Sequence, residues 1–244
     1  MSKSLAIIGL LMVILVSFGF VTLKLAASAD EHNWFNKHWR STFAANPRMR
    51  GLLGLHFDGD GRADYLGPQT KHILIEVDAM DSVPVDYQAL DMLISKIGTV
   101  TGKDVEYVVS DQNVPVAKVV NKEKIGDIVK QYRNFENHGD TATVYLLFMN
   151  EYTDESKLLG LTYKEYGIVI FAKALQDFTD NNRKALLLYE ESTALHEFGH
   201  QIGMNHNNEP GCLMNEHAES AHMALQNPQD VITDFCAYEK ALLK

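Results

Sequence analysis

The stretch His196-Glu197-Phe198-Gly199-His200-Gln201-Ile202-Gly203-Met204-Asn205-His206 decides how this chain is read. His196 and His200 are four residues apart. On a helix of 3.6 residues per turn they stack on one face, so both imidazoles can reach one ion. Glu197 is turned from His196 by about 100°, so it flanks that ion rather than binding it. Such a position suits a base acting on a water at the metal. A straight helix would carry residue 206 out of reach. Gly203 takes a positive φ at little cost and can end the helix there. The chain can then turn back and deliver His206 as a third nitrogen. Three nitrogen ligands leave one position open on a tetrahedral zinc, the arrangement of a catalytic rather than a structural site.

Met214 lies eight residues beyond His206 and follows Pro210-Gly211, a turn signal. A polarizable Met in a turn beneath three imidazoles would give the site an apolar floor.

Outward from this stretch, the spacing predicts a long helix from about Arg183 to Gln201 that carries the first two histidines. Glu190 and Glu191 lie on it one to two turns before His196 and read as solvated. Short apolar runs predict strands at 73–77, 105–109, 143–149 and 168–171. Asp86 to Thr101 has helical spacing through Leu90, Leu93, Ile94 and Ile97, with Gly102 as its stop. Asn121 to Phe135 has it through Ile125, Ile128, Val129 and Tyr132. Asn227-Pro228-Gln229-Asp230 is expected to cap a C-terminal helix with Val231, Phe235 and Leu242 inward. Strand–helix alternation followed by strands and a long helix describes an α/β (α+β) domain, a mixed twisted sheet covered by helices. It spans 71–244, with no repeat and no sign of a second domain inside it.

The stretch 196–214 resembles the metzincin clan of metallopeptidases, whose signature is His-Glu-x-x-His-x-x-Gly-x-x-His followed by a Met-turn. The resemblance implies a zincin-type fold and a peptidase acting on peptides or proteins. It also implies one zinc on His196, His200 and His206, Glu197 as general base, and support from Gly203 and Met214. By the same resemblance the strand at Gly167–Phe171 would be the sheet edge that takes the substrate. The tail is similar in part to archaemetzincins, which place four thiols around a second, structural zinc. Here Cys212 and Cys236 stand at two of those positions, and Asn207 and Glu239 at the other two, so a four-cysteine zinc site is excluded. The spacing from Asn207 to Met214 also resembles matrixins. The matrixin pro-peptide cysteine switch is absent, because no Cys precedes 212. Glu216 stands where some metzincins carry a Tyr. His217 and His222 just beyond it are either pocket-lining or surface residues.

The N-terminus reads differently. Lys3 precedes an uncharged apolar run from Ser4 to Leu23, ended by Lys24 and followed by Ala27-Ser28-Ala29. Residues 1–29 are therefore either an export signal cut after Ala29 or an uncleaved membrane anchor. Both place the remainder outside the cytoplasm, secreted or on the cell surface. There the only two cysteines, Cys212 and Cys236, form a candidate disulfide.

Residues 30–70 read as a spacer, a pro-like segment or part of the domain, with an aromatic cluster at Trp34, Phe35, Trp39 and Phe43. Asp58-Gly59-Asp60-Gly61-Arg62-Ala63-Asp64 resembles a calcium loop only faintly. It lacks the twelve-residue pattern with its closing Glu, so calcium is the weak reading and a solvated turn the stronger. His32, His38, His56, His72 and His138 have no metal spacing. The net charge of −10 argues against a nucleic-acid partner. A monomer is expected. The competing functional class is a zinc-binding extracellular interaction domain that no longer cuts, against which an intact Glu197 speaks.

Overall fold

The computed structural model describes residues 3–29, 33–81, 83–117, 120–215 and 231–243. Five strands form one sheet in the order β2-β1-β3-β5-β4. They are β1 (His72–Ala79), β2 (Asp104–Val109), β3 (Thr141–Met149), β4 (Gly160–Tyr163) and β5 (Gly167–Phe171). β1, β2, β3 and β5 run parallel, and β4 runs antiparallel to β5. β3 is buried from Ala142 to Met149 and β5 throughout, which is why both read as continuous apolar runs rather than alternating ones.

Before the sheet come α1 (Lys3–Ser28), α2 (Trp34–His38), α3 (Arg40–Ala44), α4 (Pro47–Leu53) and α5 (Arg62–Leu66). The covering helices are α6 (Tyr87–Thr101), α7 (Lys122–Tyr132), α8 (Ala172–Phe178), α9 (Arg183–Gln201) and α10 (Ala237–Ala241). α6 starts where the Asp86 side chain accepts from the Gln88 N–H and stops at Gly102, whose φ of 68° suits glycine. Its Leu90, Leu93 and Ile97 are buried, against the sheet core that includes Ile73, Val77 and Leu147. Each such side chain contributes about 1.5–3 kcal/mol by leaving water.

Several expectations are corrected. β5 is not the sheet edge; it lies between β3 and β4, so the edge beside the helix of the quoted stretch is β4. The pattern of 160–163 is too short to stand out. The second helix ends at Tyr132, not Phe135. The reason is Glu76, buried in β1, whose carboxylate accepts from the N–H groups of Asn134 and Phe135 and from Asn134 Nδ2. Those bonds pull the chain out of helical geometry. The C-terminal helix begins only at Ala237. Phe235 is buried ahead of it, Val231 is half-buried and Leu242 is exposed. The expected cap at 227–230 lies outside the described residues, as do Glu216, His217 and His222.

The run 58–64 is not a solvated turn. Asp60 is buried, and its carboxylate accepts from Arg40 Nη2 at 2.6 Å and from the Phe57 N–H at 2.7 Å. Asp64 pairs with Arg50. These carboxylates are engaged by guanidinium groups, which opposes the calcium reading. Tyr65 reaches the main core, where its ring packs on Phe198.

Candidate active site

α9 is set by Asn182, whose side chain accepts from the Lys184 and Ala185 N–H groups. Its C-terminal end is held by Arg62, which donates from Nη1 to Ile202 O at 2.7 Å. At Gly203 the chain turns with φ of 82°, and the Gly203 and Met204 N–H groups return to His200 O and Gly199 O. The turn is wedged from outside. A Cβ on Gly59 would sit 2.9 Å from Gly203 Cα, so the two glycines let the 58–61 turn and the helix end meet backbone to backbone.

Past this turn His206 comes back to the helix. Its Nε2 lies 3.2 Å from His196 Nε2 and 3.1 Å from His200 Nε2. A tetrahedral zinc with Zn–N of about 2.0–2.1 Å would hold such pairs roughly 3.3–3.4 Å apart, so the three imidazoles fit one ion. The other ring nitrogens fix the tautomer. His196 Nδ1–H donates to Leu213 O at 2.8 Å and His200 Nδ1–H donates to Met204 O at 3.0 Å, leaving both Nε2 lone pairs turned to the shared point. His196 is buried, His200 half-buried and His206 exposed, so the cluster opens to solvent at His206.

Glu197, buried beside the cluster on the same helix, reaches β4. Its Oε2 accepts from Thr162 Oγ1–H at 2.7 Å. Gly160 on the same strand makes room for it, since a Cβ there would stand 2.9 Å from Glu197 Oε1 and closer still to Thr193 Cγ2. Gln201, fully buried, donates from Nε2 to Lys164 O at 3.0 Å and to Gly167 O at 2.7 Å, which pins the β4–β5 hairpin to the helix. Helix and edge strand are thus locked in register around Glu197.

Met214 lies beneath the site, fully buried. A Cβ on Gly199 would collide with Met214 Sδ, so the residue between Phe198 and His200 must be glycine for the floor to close. Cys212 and Cys236 are joined by a disulfide. Glu239, fully buried, ties this region together. Its Oε1 accepts from the Met214 N–H at 2.6 Å and from Asn207 Nδ2 at 3.0 Å. Its Oε2 accepts from the Leu213 N–H at 3.1 Å and the Cys236 N–H at 2.8 Å. The Leu213 carbonyl is the one that orients His196.

Sequence reasoning placed His196, His200, His206, Glu197, Gly203 and Met214, and the fold brings all of them together. It missed Thr162, Gly160, Gly199 and Glu239. Gly199 stood in the quoted stretch, and a glycine inside a helix is itself a signal of close approach. Glu239 was seen only as the place of an absent thiol. Glu190 and Glu191 are corrected: both are buried, not solvated. Burial, with the charge of Asp86 adding to it, pushes the Glu190 carboxyl up to about 8. Burial pushes Glu191 up to about 7, against the opposing charge of Lys96. His56 pairs with Glu165 at 2.8 Å.

A cleft of about 1220 Å³ opens on the exposed side of the cluster, lined by His200, His206, Thr162, Lys122 and Lys164 among others. Its size and its mixed charged and apolar lining suit an extended peptide.

No protein-family model and no curated protein matches the sequence. Solved structures do. Archaemetzincin from Methanopyrus kandleri superposes with a TM-score of 0.52 at 17% identity, covering 72% of this chain and 96% of that one. Metalloproteinase-II from Bacteroides fragilis gives a TM-score of 0.42 at 12% identity, covering 75% of this chain and 59% of that one. The mixed five-stranded α/β architecture is therefore that of an archaemetzincin, a metzincin-type fold.

Proposed function

We propose that the chain is a zinc-dependent endopeptidase. The observation that carries this is the convergence of three histidine Nε2 atoms on one point beside an acid that faces the open cleft's edge strand. His196, His200 and His206 would hold the ion. A zinc ion held there would supply Lewis acidity for a peptide carbonyl and acidify a water beside it.

The protein's own groups do the remainder. An extended peptide lies along β4, whose outer edge carries no further strand among the described residues. Glu197 takes the proton of the attacking water and returns it to the leaving amine. Thr162 holds Oε2 of that carboxylate by a 2.7 Å hydrogen bond, fixing where its other oxygen points. Substrate side chains occupy the cleft beside Lys122 and Lys164. The disulfide suits an oxidising compartment, in keeping with export to the cell surface or beyond.

Metal analysis with a cleavage assay tests this. The purified full chain should carry about one equivalent of zinc, as a single three-nitrogen site requires, and cut members of a mixed peptide library. His206→Ala should lose both. Less than about half an equivalent in the native chain after gentle purification, where a site of this kind retains its metal, would sink the proposal.

A further inference from the structure

Helix α1 has apolar side chains on every side, and those described, from Ile7 to Leu25, are largely exposed. Its uncharged run from Ser4 to Leu23, ahead of Lys24 and of the buried Ala27, has 20 residues. At 1.5 Å per residue that is about 30 Å, the thickness of a bilayer core. Length and composition alone describe an export signal equally well. What separates the two is how the end of α1 is built into the domain.

Ala27 is fully buried in a small core with Phe35, Ala44, Leu53 and Leu55. Its carbonyl accepts from Arg40 Nη1 at 2.7 Å, and the Ala26 carbonyl accepts from Asn33 Nδ2 at 2.8 Å. Arg40 is itself buried and held by Asp60. Asp60 belongs to the turn that wedges against Gly203 at the end of the active-site helix. An unbroken chain of contacts therefore runs from the end of α1 to the zinc-site turn. Cutting after Ala29 would remove Ala27 from that core and leave Arg40 Nη1 with only the Asn36 Oδ1 of its two acceptors.

The surroundings of this junction match a lipid surface. Trp34 and Trp39, the only two tryptophans in the chain, are both exposed directly after α1. Exposed tryptophans beside an apolar helix sit at the level of lipid headgroups. From Lys24 to Phe57 there are five lysines and arginines against two acidic residues, Asp30 and Glu31, in a chain of net charge −10. Of the basic residues here, Lys24, Lys37 and Arg48 are exposed, as a surface meeting anionic headgroups requires. Moreover, Ser28 and Ala29 line the same cleft as His200 and His206.

We propose that α1 is a retained membrane anchor and that the catalytic cleft opens at the lipid surface, so that the peptides cut are juxtamembrane segments of other membrane proteins. The substrate class rests on the peptidase proposal above; the anchoring does not.

The test uses the full chain. Intact mass of the natively expressed protein should show α1 present, and the protein should stay with membranes in alkaline carbonate. A soluble chain beginning at residue 30 overturns the anchor. Next, the chain is placed in vesicles of phosphatidylcholine and phosphatidylglycerol together with single-span substrates. These carry one library-selected cleavage sequence either about 5 or about 40 residues from the bilayer, the longer spacer reaching roughly 35 Å as a flexible chain. The near site should be cut at least about ten-fold faster, because tethering raises effective concentration only where the geometry allows it. Equal rates overturn the juxtamembrane proposal. The same sequence as a free peptide in detergent is the control. If it is not cut, the peptidase proposal falls and takes the substrate class with it, while mass and extraction still decide the anchor. Replacing Trp34 and Trp39 together by Ser should lower the near-to-far ratio and leave free-peptide cleavage unchanged. An unchanged ratio overturns the place given to the tryptophans.

Discussion

Replacing Glu239 by Gln changes one atom in a side chain that solvent does not reach. The shape is kept, yet one oxygen that accepts two hydrogen bonds becomes an NH₂ that must donate. Either way round, two of the four donors now facing Glu239 lose their acceptor: Met214 N–H with Asn207 Nδ2, or Leu213 N–H with Cys236 N–H. A hydrogen bond to a charged group is worth about 1.5–3 kcal/mol, so two lost bonds cost roughly 3–6 kcal/mol. That is a large share of the roughly 5–15 kcal/mol that holds a domain folded. Metal affinity should fall too, because the Leu213 peptide lies between Glu239 and His196. Loss of an outer partner of a metal-binding His typically costs 10–100-fold in affinity, about that range being expected here. Urea unfolding reads the first effect, and zinc competition against a calibrated chelator reads the second. A stability loss under about 1 kcal/mol, the size of one ordinary net hydrogen bond, with unchanged zinc affinity would refute the clamp.

Thr162→Val removes the hydroxyl that holds Glu197 and should lower kcat about 10–100-fold with KM little changed, while Thr162→Ser keeps most of the rate; equal rates for wild type and Val would dismiss the contact. Gly199→Ala drives a methyl into Met214 and should destabilise the fold by about 1–3 kcal/mol, read as a lower urea midpoint. Reducing the Cys212–Cys236 disulfide, whose partners are 24 residues apart, should cost about 3 kcal/mol, seen by comparing unfolding with and without reductant. Glu190 and Glu191 have folded pKa values raised from 4.5 to about 8 and about 7, so the folded state binds protons that the unfolded state has released. Stability should therefore fall as pH rises from about 5 to about 8, by about 6 kcal/mol at most, and Glu190→Gln should flatten that slope. This is measured with a chelator present, so that metal binding does not add its own pH dependence; an unchanged slope in the variant would mean the buried carboxyl is not its source.

The histidine cluster was legible because it is local. Helical spacing stacks His196 on His200, one glycine ends the helix, and the chain needs only six residues to bring His206 back. Strands β3 and β5 were legible because burial on both faces leaves unbroken apolar runs. What stayed hidden depends on distant partners. Nothing local says that Thr162 meets Glu197, 35 residues away in sequence. Asp60 looks like a solvated turn residue until Arg40 is folded against it, and Glu239 marks only the place of an absent thiol until four donors surround it. Glu190 and Glu191 misled for the opposite reason: adjacent acids on a helix nearly always face water, and here packing against α6 buries both. The edge strand was missed because β4 is four residues long, too short for its alternation to register.

The sharpest single measurement is hydrolysis of a library-selected peptide by the zinc-loaded Glu197→Ala variant, with the metal counted in the same sample. With Glu197 moving the proton and the three histidines holding the ion, the variant should keep about one equivalent of zinc and lose at least about 10²–10⁴-fold in kcat, the usual worth of a positioned general base. Hydrolysis that persists at near the wild-type rate with zinc in place would contradict it.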